Sequence, residues 1–244
     1  MPAGYGDIMS VRDLIQQWDV VPGLSLNGVE ANQLLYEAGI HVADAVAVYS
    51  PGEAAAAAGD LGFPFYLSPL SRERFPAQAN GVTQVAASEA DVQHAYQAVL
   101  DASRAWSPGA AVDGVLLKRV PRPGVEMTVV VEWDDLFGPV LSFGFGRMAI
   151  DIWDDVAYRI LPITDKDARL IIREPKASTL LQGYGALEAP NVALLERLLL
   201  QVSDLVEKAP ELLEMELDPV YSYRDEIVVA GACILLGNPD ADKE

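Results

Sequence analysis

Two carboxylates near the end of the chain have the spacing of a cation site. Glu216 and Asp218 are two residues apart in an apolar segment, so both side chains lie on one face of an extended strand. Neighbouring carboxylates repel each other unless a cation or a basic partner lies between them. Carboxylate oxygen is also a ligand that Mg²⁺ prefers. The pair therefore predicts a magnesium site, and a solvated acidic strand edge is an equally good interpretation in so acidic a chain.

The basic residues are concentrated in the middle of the chain. Between Lys118 and Lys176, nine basic residues nearly balance ten acidic ones, whereas the whole chain has a net charge of −19. An anionic ligand would therefore bind most favourably against this segment. Within it, Asp151, Asp155 and Arg159 have the spacing of one face of a strand. They predict either a cross-strand charge pair or a phosphate or metal site.

The composition excludes several classes of function. A chain of 244 residues with 51% apolar and 22% charged residues can bury an ordinary core. The net charge of −19 argues against nucleic acids and anionic membranes as partners. One cysteine and two histidines exclude an internal disulfide and a cysteine-only zinc site, and leave little material for a catalytic triad. Without a signal-peptide pattern or an apolar run of about 18 residues, a cytoplasmic location is expected.

Helices and strands predicted from the sequence have to position these residues. Apolar periodicity, start signals such as Ser50-Pro51 and Ser88, and turn residues define the elements. The predicted helices cover residues 11–18, 30–38, 50–62, 88–106, 164–173 and 190–208. The predicted strands cover residues 41–49, 63–67, 81–86, 114–120, 125–133, 140–145, 149–163, 213–221 and 226–236.

The order of these elements divides the chain into four segments. Residues 1–25 are predicted to form a linker with a short helix, and residues 26–110 a small α/β subdomain. Residues 111–237 are predicted to form a larger, mainly antiparallel β-rich subdomain, and residues 238–244 a polar tail. The fold class expected from this order is α+β.

Several short motifs occur in a fixed order between about Leu26 and Leu236. They are Glu30-Ala-Asn-Gln-Leu-Leu-Tyr-Glu-Ala-Gly-Ile40, Gly62-Phe-Pro64, Gly81-Val82, Gly114-Val-Leu116, Gly124-Val-Glu126, Phe137-Gly-Pro-Val140, Phe143-Gly-Phe-Gly146, Asp155-Val-Ala-Tyr-Arg159 and Glu216-Leu-Asp218-Pro219. No single motif is specific. As an ordered set they resemble the ATP-grasp domain of ADP-forming (NDP-forming) acyl-CoA synthetases, the β subunit of acetate-CoA ligase, which is related to the β subunit of succinyl-CoA synthetase. The resemblance implies an ATP-grasp fold with a small lid-like subdomain and with Mg-ATP held between two sheets.

The same resemblance shows where this sequence departs from the family. The family's phosphate-binding lysine falls on Ser68, and a hydroxyl cannot supply its charge. The family's relay histidine falls in residues 75–81, which contain no histidine, and its magnesium-binding aspartate falls on Gly231. His41 and His94 lie at other positions and are interpreted as structural or solvated residues.

Other family positions keep residues suited to a nucleotide. Glu126 falls where the family has a glutamate on the strand beside the nucleotide, although a solvated strand residue is an equally good interpretation. In the glycine-rich turn, Arg147 replaces the last glycine. The nucleotide-binding candidates are Lys118, Arg119, Glu126, Gly144, Gly146, Arg147 and Arg159, and the metal-binding candidates are Glu216, Asp218 and Asp151.

These departures favour a degenerate ATP-grasp domain that acts as a non-catalytic, regulatory or assembly subunit, with Mg-ATP binding weak or lost. The alternative is an active β subunit of an ADP-forming acetate or acyl-CoA ligase that binds Mg-ATP. The resemblance implies a CoA-binding, succinyl-CoA-synthetase-like α module as the partner in both cases. If the site is degenerate, Ser68→Lys with Gly231→Asp is expected to strengthen Mg-ATP binding.

Overall fold

The computed structural model describes residues 9–18, 20–75, 82–185 and 187–238. The helices are α1 (Val11–Gln16), α2 (Gly28–Glu37), α3 (Pro51–Leu61), α4 (Glu89–Trp106), α5 (Arg147–Trp153), α6 (Asp165–Ile171) and α7 (Val192–Lys208), with a 3-10 helix at Lys176–Gln182. The strands are β1 (Leu24–Ser25), β2 (Ala45–Val48), β3 (Phe65–Leu70), β4 (Gln84–Ala86), β5 (Gly114–Arg119), β6 (Val125–Asp134), β7 (Gly138–Gly144), β8 (Val156–Ile160), β9 (Leu212–Ser222), β10 (Ile227–Val229) and β11 (Ala232–Leu236). The mixture of helices with antiparallel sheets confirms the α+β class.

The chain forms two compact units. The first contains the described residues of 25–31 and 43–121, and the second contains those of 9–24, 32–42 and 122–238. The predicted boundary between residues 110 and 111 therefore falls inside the first unit. The reason is that β5 pairs with β2 on one side and with β3 on the other, which makes it a central strand of the first unit.

The first unit has a four-stranded antiparallel sheet in the order β2-β5-β3-β4. Phe65, Leu67 and Leu117 point from this sheet into a core that also contains residues of α3 and α4. Both helices begin at the predicted serines. The Ser50 hydroxyl accepts a hydrogen bond from the backbone N–H of Glu53, and α4 begins with a capping box at Ser88. These local bonds satisfy N–H groups that have no partner inside a helix.

The second unit has a seven-stranded sheet in the order β1-β11-β9-β6-β7-β8, with β10 also pairing with β9. Alternate residues of its central strands, such as Val131, Phe143 and Leu217, are buried. The apolar face of α7 is buried as well, while α6 lies against β8 and α7. The opposite face of the sheet is half-exposed and carries the candidate cation site. Across the described ranges, no helix combines the length and apolar character needed to cross a membrane.

The strand predicted over residues 149–163 is wrong in its first part. Gly146 has a φ of 65° and turns the chain into α5, which ends at Asp154 with a φ of 51°. The extended conformation begins only at Val156. A helix therefore occupies the positions where the sequence pattern indicated alternation, and Asp151 lies on this helix.

Candidate functional site

Glu216 and Asp218 lie on the half-exposed face of the larger sheet. Glu216 is opposite Val130 on β6 and Cys233 on β11. The Oδ1 atom of Asp218 accepts a hydrogen bond of 2.8 Å from the Thr128 hydroxyl. The side chains of Glu216 and Asp218 are 25% and 19% exposed. The strand thus brings both carboxylates to one place, as their spacing predicts.

Arg147 brings the three candidate metal ligands together. Its Nη1 lies 2.7 Å from Glu216 Oε1 and 3.7 Å from Asp218 Oδ2, and its Nε lies 3.4 Å from Asp151 Oδ1. Arg147 is the first residue of α5, and Asp151 follows about one turn later on the same side of the helix. Gly146 directs the chain into this helix. We refer to Glu216, Asp218 and Asp151 as the acidic cluster.

The charges around Arg147 keep its guanidinium protonated. Burial by itself would lower the pKa of this group, but the charge and hydrogen bond of Glu216, together with the charges of Asp218 and Asp151, raise the pKa above its ordinary value. An arginine side chain remains a cation throughout the ordinary pH range. Arg147 is therefore the basic partner that the neighbouring carboxylates of the acidic cluster require.

Magnesium binding by the acidic cluster stays a prediction. Mg²⁺ prefers a near-octahedral set of oxygen ligands at about 2.1 Å and usually keeps several waters, with one or two carboxylates from the protein. In the described part of the chain, no group of three or more His, Cys, Asp or Glu side chains is placed to hold a metal ion. The oxygens that converge here instead face the N–H groups of Arg147. This geometry is that of an ion-pair network.

Backbone atoms fill the position that the resemblance assigns to the missing aspartate. Gly231 lies between β10 and β11, and its carbonyl oxygen accepts a hydrogen bond of 3.0 Å from the backbone N–H of Asp218. A Cβ atom at residue 231 would overlap with the Asp218 carbonyl oxygen and would lie 2.8 Å from the carbonyl carbon. The position therefore has no space for a side chain. The expectation that Ser68→Lys with Gly231→Asp would strengthen Mg-ATP binding stays a prediction, and the packing at Gly231 argues against its second substitution.

Lys118 and Arg119 lie on opposite faces of the smaller sheet, although they are adjacent in sequence. Leu117 faces the core, so strand alternation places Lys118 on the other face, opposite Tyr66 of β3. Ser68 is two residues from Tyr66 and lies on this same face. Arg119 is exposed at the end of β5. The structure thus groups Lys118 with Ser68 and separates it from Arg119.

We expect Lys118→Met to remove a pH dependence of the free energy of unfolding. Burial lowers the pKa of the Lys118 amino group to about 8, whereas the unfolded-state pKa is about 10.4. The folded state therefore binds fewer protons between these values, and stability rises as the pH increases from about 8 to about 10.4. Between pH 7 and pH 10 this group should raise the free energy of unfolding of the native chain by about 2–3 kcal/mol, and Lys118→Met should lack that rise.

Urea titrations of both proteins at pH 7 and pH 10 test this expectation. Lys208→Met is the matched control, because Lys208 is 64% exposed at the end of α7. The control should keep the rise in stability that the native chain shows between the two pH values. The same rise in Lys118→Met as in the native chain would contradict burial of the amino group as its cause.

Two further nucleotide-binding candidates, Glu126 and Gly144, make contacts within the second unit. The Oε2 atom of Glu126 accepts a hydrogen bond of 3.4 Å from the hydroxyl of Tyr221, its cross-strand neighbour on β9. Gly144 ends β7, where a Cβ atom would lie 2.7 Å from Ile150 Cγ1 on α5. Gly144 thus permits close packing of helix and strand. Binding of a nucleotide by these residues remains a prediction.

Asp155 and Arg159 organise the segment that follows α6. The buried carboxylate of Asp155 accepts hydrogen bonds of 2.7 and 2.8 Å from two backbone N–H groups at the start of the 3-10 helix. Arg159, on β8, forms an ion pair with Glu174. The prediction that Asp151, Asp155 and Arg159 share one strand face is wrong, because Asp151 lies on α5. Sequence spacing does not reveal the role of Asp155, since its partners are more than 20 residues away.

The two histidines are exposed, and the cysteine lies beside the acidic cluster. His41 is exposed, with Nδ1 3.8 Å from Glu226 Oε2, and His94 is exposed on α4. Cys233 is half-buried and lies opposite Glu216. Residues 76–81, where the resemblance expects the relay histidine, lie outside the described residues.

Comparisons with known proteins agree with the motifs. A family model for the ATP-grasp domain matches residues 23–236. The β subunit of acetate-CoA ligase (ADP-forming) I from Pyrococcus furiosus is 29% identical over 208 residues, which cover 85% of this chain and 90% of that subunit. The β subunit of ligase II from the same organism is 32% identical over 211 residues, with coverages of 85% and 89%. Acetate-CoA ligase (ADP-forming) I from Archaeoglobus fulgidus is 31% identical over 210 residues, but this chain covers only 31% of its length.

A solved structure has the same fold. It is the dinucleotide-forming acetyl-coenzyme A synthetase 1 of Ca. Korarchaeum cryptofilum in complex with coenzyme A, Ca-AMPCP and HgCl+. It superposes with a TM-score of 0.84 at 29% identity, covering 93% of this chain and 100% of the matched chain. The ATP-grasp fold expected from the motifs is thereby confirmed. The chain belongs to the ATP-grasp family and is an ATP-grasp domain of the β type found in ADP-forming acyl-CoA synthetases.

Proposed function

We propose that this domain is a non-catalytic ATP-grasp module that serves assembly or regulation in an acyl-CoA synthetase. The observation that carries the proposal is the packing of Gly231 against Asp218, because the position of the family's magnesium-binding aspartate has neither a carboxylate nor space for one. Ser68 supports the proposal, since its hydroxyl cannot neutralise phosphate charge. Phosphoryl transfer depends on positioned cations around the phosphates. This chain lacks two of the groups that would provide or hold them.

We expect the chain to release no ADP from Mg-ATP and to bind Mg-ATP weakly. A charge-assisted contact contributes roughly 1.5–3 kcal/mol, so the absence of a lysine at Ser68 lowers ATP affinity by about one to two decades. Calorimetry with and without Mg²⁺ measures the affinity, and an ADP-release assay measures turnover. Ser68→Lys should raise the affinity about tenfold or more without restoring turnover. Ser68→Gln, which adds a chain without a charge, is the matched control and should leave the affinity low.

The same assays distinguish the alternative function. Mg²⁺-dependent turnover by the native chain in the presence of its CoA-binding partner would show an active ligase subunit and would contradict the proposal. Micromolar affinity of the native chain for Mg-ATP, unchanged by Ser68→Lys, would show that other residues hold the nucleotide. Weak binding without turnover supports the non-catalytic module.

The partner that we propose is a CoA-binding, succinyl-CoA-synthetase-like α module. Two relatives from Pyrococcus furiosus are β subunits by name, and the Archaeoglobus fulgidus ligase contains the corresponding segment as about a third of its length. The net charge of −19 disfavours nucleic acid and anionic membranes as alternatives. Co-purification of the tagged chain from its own cells tests the partner. Recovery as a monomer without any such module would contradict it.

A further inference from the structure

We infer that the guanidinium of Arg147 is the resident cation of the acidic cluster and takes the place of a divalent metal ion there. The inference rests on the proposed non-catalytic function, but it concerns which cation stabilises the cluster and not whether ATP is turned over. It also accounts for the two neighbouring carboxylates of β9. They are stable side by side because a basic side chain lies against both of them.

The geometry of the guanidinium suits this role. Nη1 lies 2.7 Å from Glu216 and 3.7 Å from Asp218, while Nε lies 3.4 Å from Asp151, so one planar group contacts all three carboxylates. A guanidinium carries five N–H donors in a fixed plane and cannot lose its charge in proteins. The partly buried side chains of Glu216 and Asp218 are screened by water less than a surface pair. Arg147 is thus positioned as a shared counter-ion.

A divalent ion would compete with Arg147 for the same oxygen atoms. Glu216 Oε1 and Asp218 Oδ2 face the guanidinium, and Asp218 Oδ1 already accepts the Thr128 hydroxyl. A metal ion ligated by the converging oxygens would lie next to a positive charge, and like charges at such distances repel strongly in a partly buried site. Removing the guanidinium would free these oxygens and leave their negative charges uncompensated. The acidic cluster would then favour a divalent cation.

The start of α5 explains how Arg147 reaches this position. Gly146, with its φ of 65°, ends the extended segment after β7, and Arg147 opens the helix directly beside the half-exposed sheet face. Asp151 lies about one turn further along and contacts Nε, which helps to orient the side chain towards β9. The turn at Gly146 and the start of α5 are therefore sufficient to place the Arg147 side chain against the acidic cluster.

Metal-binding measurements on the native chain and on Arg147→Ala test the inference. The native chain should bind Mn²⁺, followed by electron paramagnetic resonance, at least about tenfold more weakly than the variant, which should bind it with a dissociation constant on the order of 1 mM or lower. Mg²⁺ and Mn²⁺ at millimolar concentration should raise the melting temperature of Arg147→Ala but not that of the native chain. Adding Glu216→Gln to Arg147→Ala should remove the gain in both measurements.

Arg173→Ala is the matched control, because among the described residues Arg173 forms an ion pair with Glu196 alone. It should acquire no response to divalent cations. If the native chain binds Mn²⁺ with a submillimolar dissociation constant and Glu216→Gln abolishes this binding, the inference is overturned. This result does not depend on whether Arg147→Ala folds. An Arg147→Ala protein that responds to divalent cations no more than the native chain would also overturn it. None of these measurements involves ATP, so a result that contradicts this inference does not by itself contradict the proposed function.

Discussion

Gly231→Asp is expected to prevent stable folding of the unit that carries the larger sheet. Its Cβ atom would overlap with the backbone carbonyl group of Asp218, and the Pro219 ring lies at 3.3 Å. A backbone carbonyl cannot rotate away as a flexible side chain can, so β9 and the segment before β11 would have to separate. We expect a loss of more than about 4 kcal/mol, which is exceptional for one substitution and a large part of the total stability of a domain.

Urea unfolding followed by circular dichroism measures this loss, and Gly231→Ala should already show most of it. Gly59→Ala is the control. Gly59 lies inside α3 with no atom within 4 Å of an added Cβ, so alanine should stabilise the helix by about 0.5–1 kcal/mol. If Gly231→Asp instead folds with native stability, residue 231 has space for a carboxylate. The non-catalytic function would then lose the observation that carries it.

Asp155→Ala is expected to lower the free energy of unfolding by about 3 kcal/mol. The carboxylate is 7% exposed and accepts two short hydrogen bonds from the backbone at the start of the 3-10 helix. A hydrogen bond to a charged group contributes about 1.5–3 kcal/mol, and the alanine variant loses two of them. Urea unfolding measures the loss. Hydrogen exchange at Lys176 and Ala177 locates it, because both amides should exchange faster in the variant.

Asp151→Ala is the matched control for this experiment. Asp151 is 55% exposed and makes an ion pair of 3.4 Å with Arg147, so its removal should cost less than about 1 kcal/mol. Asp155→Asn keeps one acceptor oxygen and should lose less than Asp155→Ala. Equal and small effects of Asp151→Ala and Asp155→Ala would contradict the structural role of Asp155 and would make it a candidate ligand again.

Local signals were sufficient to predict most of the helices. α3, α4, α6 and α7 begin at the residues whose side chains cap them, namely Ser50, Ser88, Thr164 and Asn191. Capping bonds and apolar periodicity act within a few residues, which is why the sequence reveals them. The start of α5 has no capping side-chain bond. It depends on the positive φ of Gly146, and apolar alternation after it indicated a strand instead.

The sequence by itself determined the fold class, the ATP-grasp family and the placement of Glu216 and Asp218 on one strand face, because alternation along a strand and the order of motifs are properties of the chain. Only the tertiary structure decided what lies against those carboxylates. Arg147 is 69 residues from Glu216 along the chain, and Gly231 meets the backbone of Asp218 through the pairing of β9 with the strands that follow it. Such contacts depend on the register between distant strands and on the direction in which a helix leaves the sheet, and neither is encoded by local spacing.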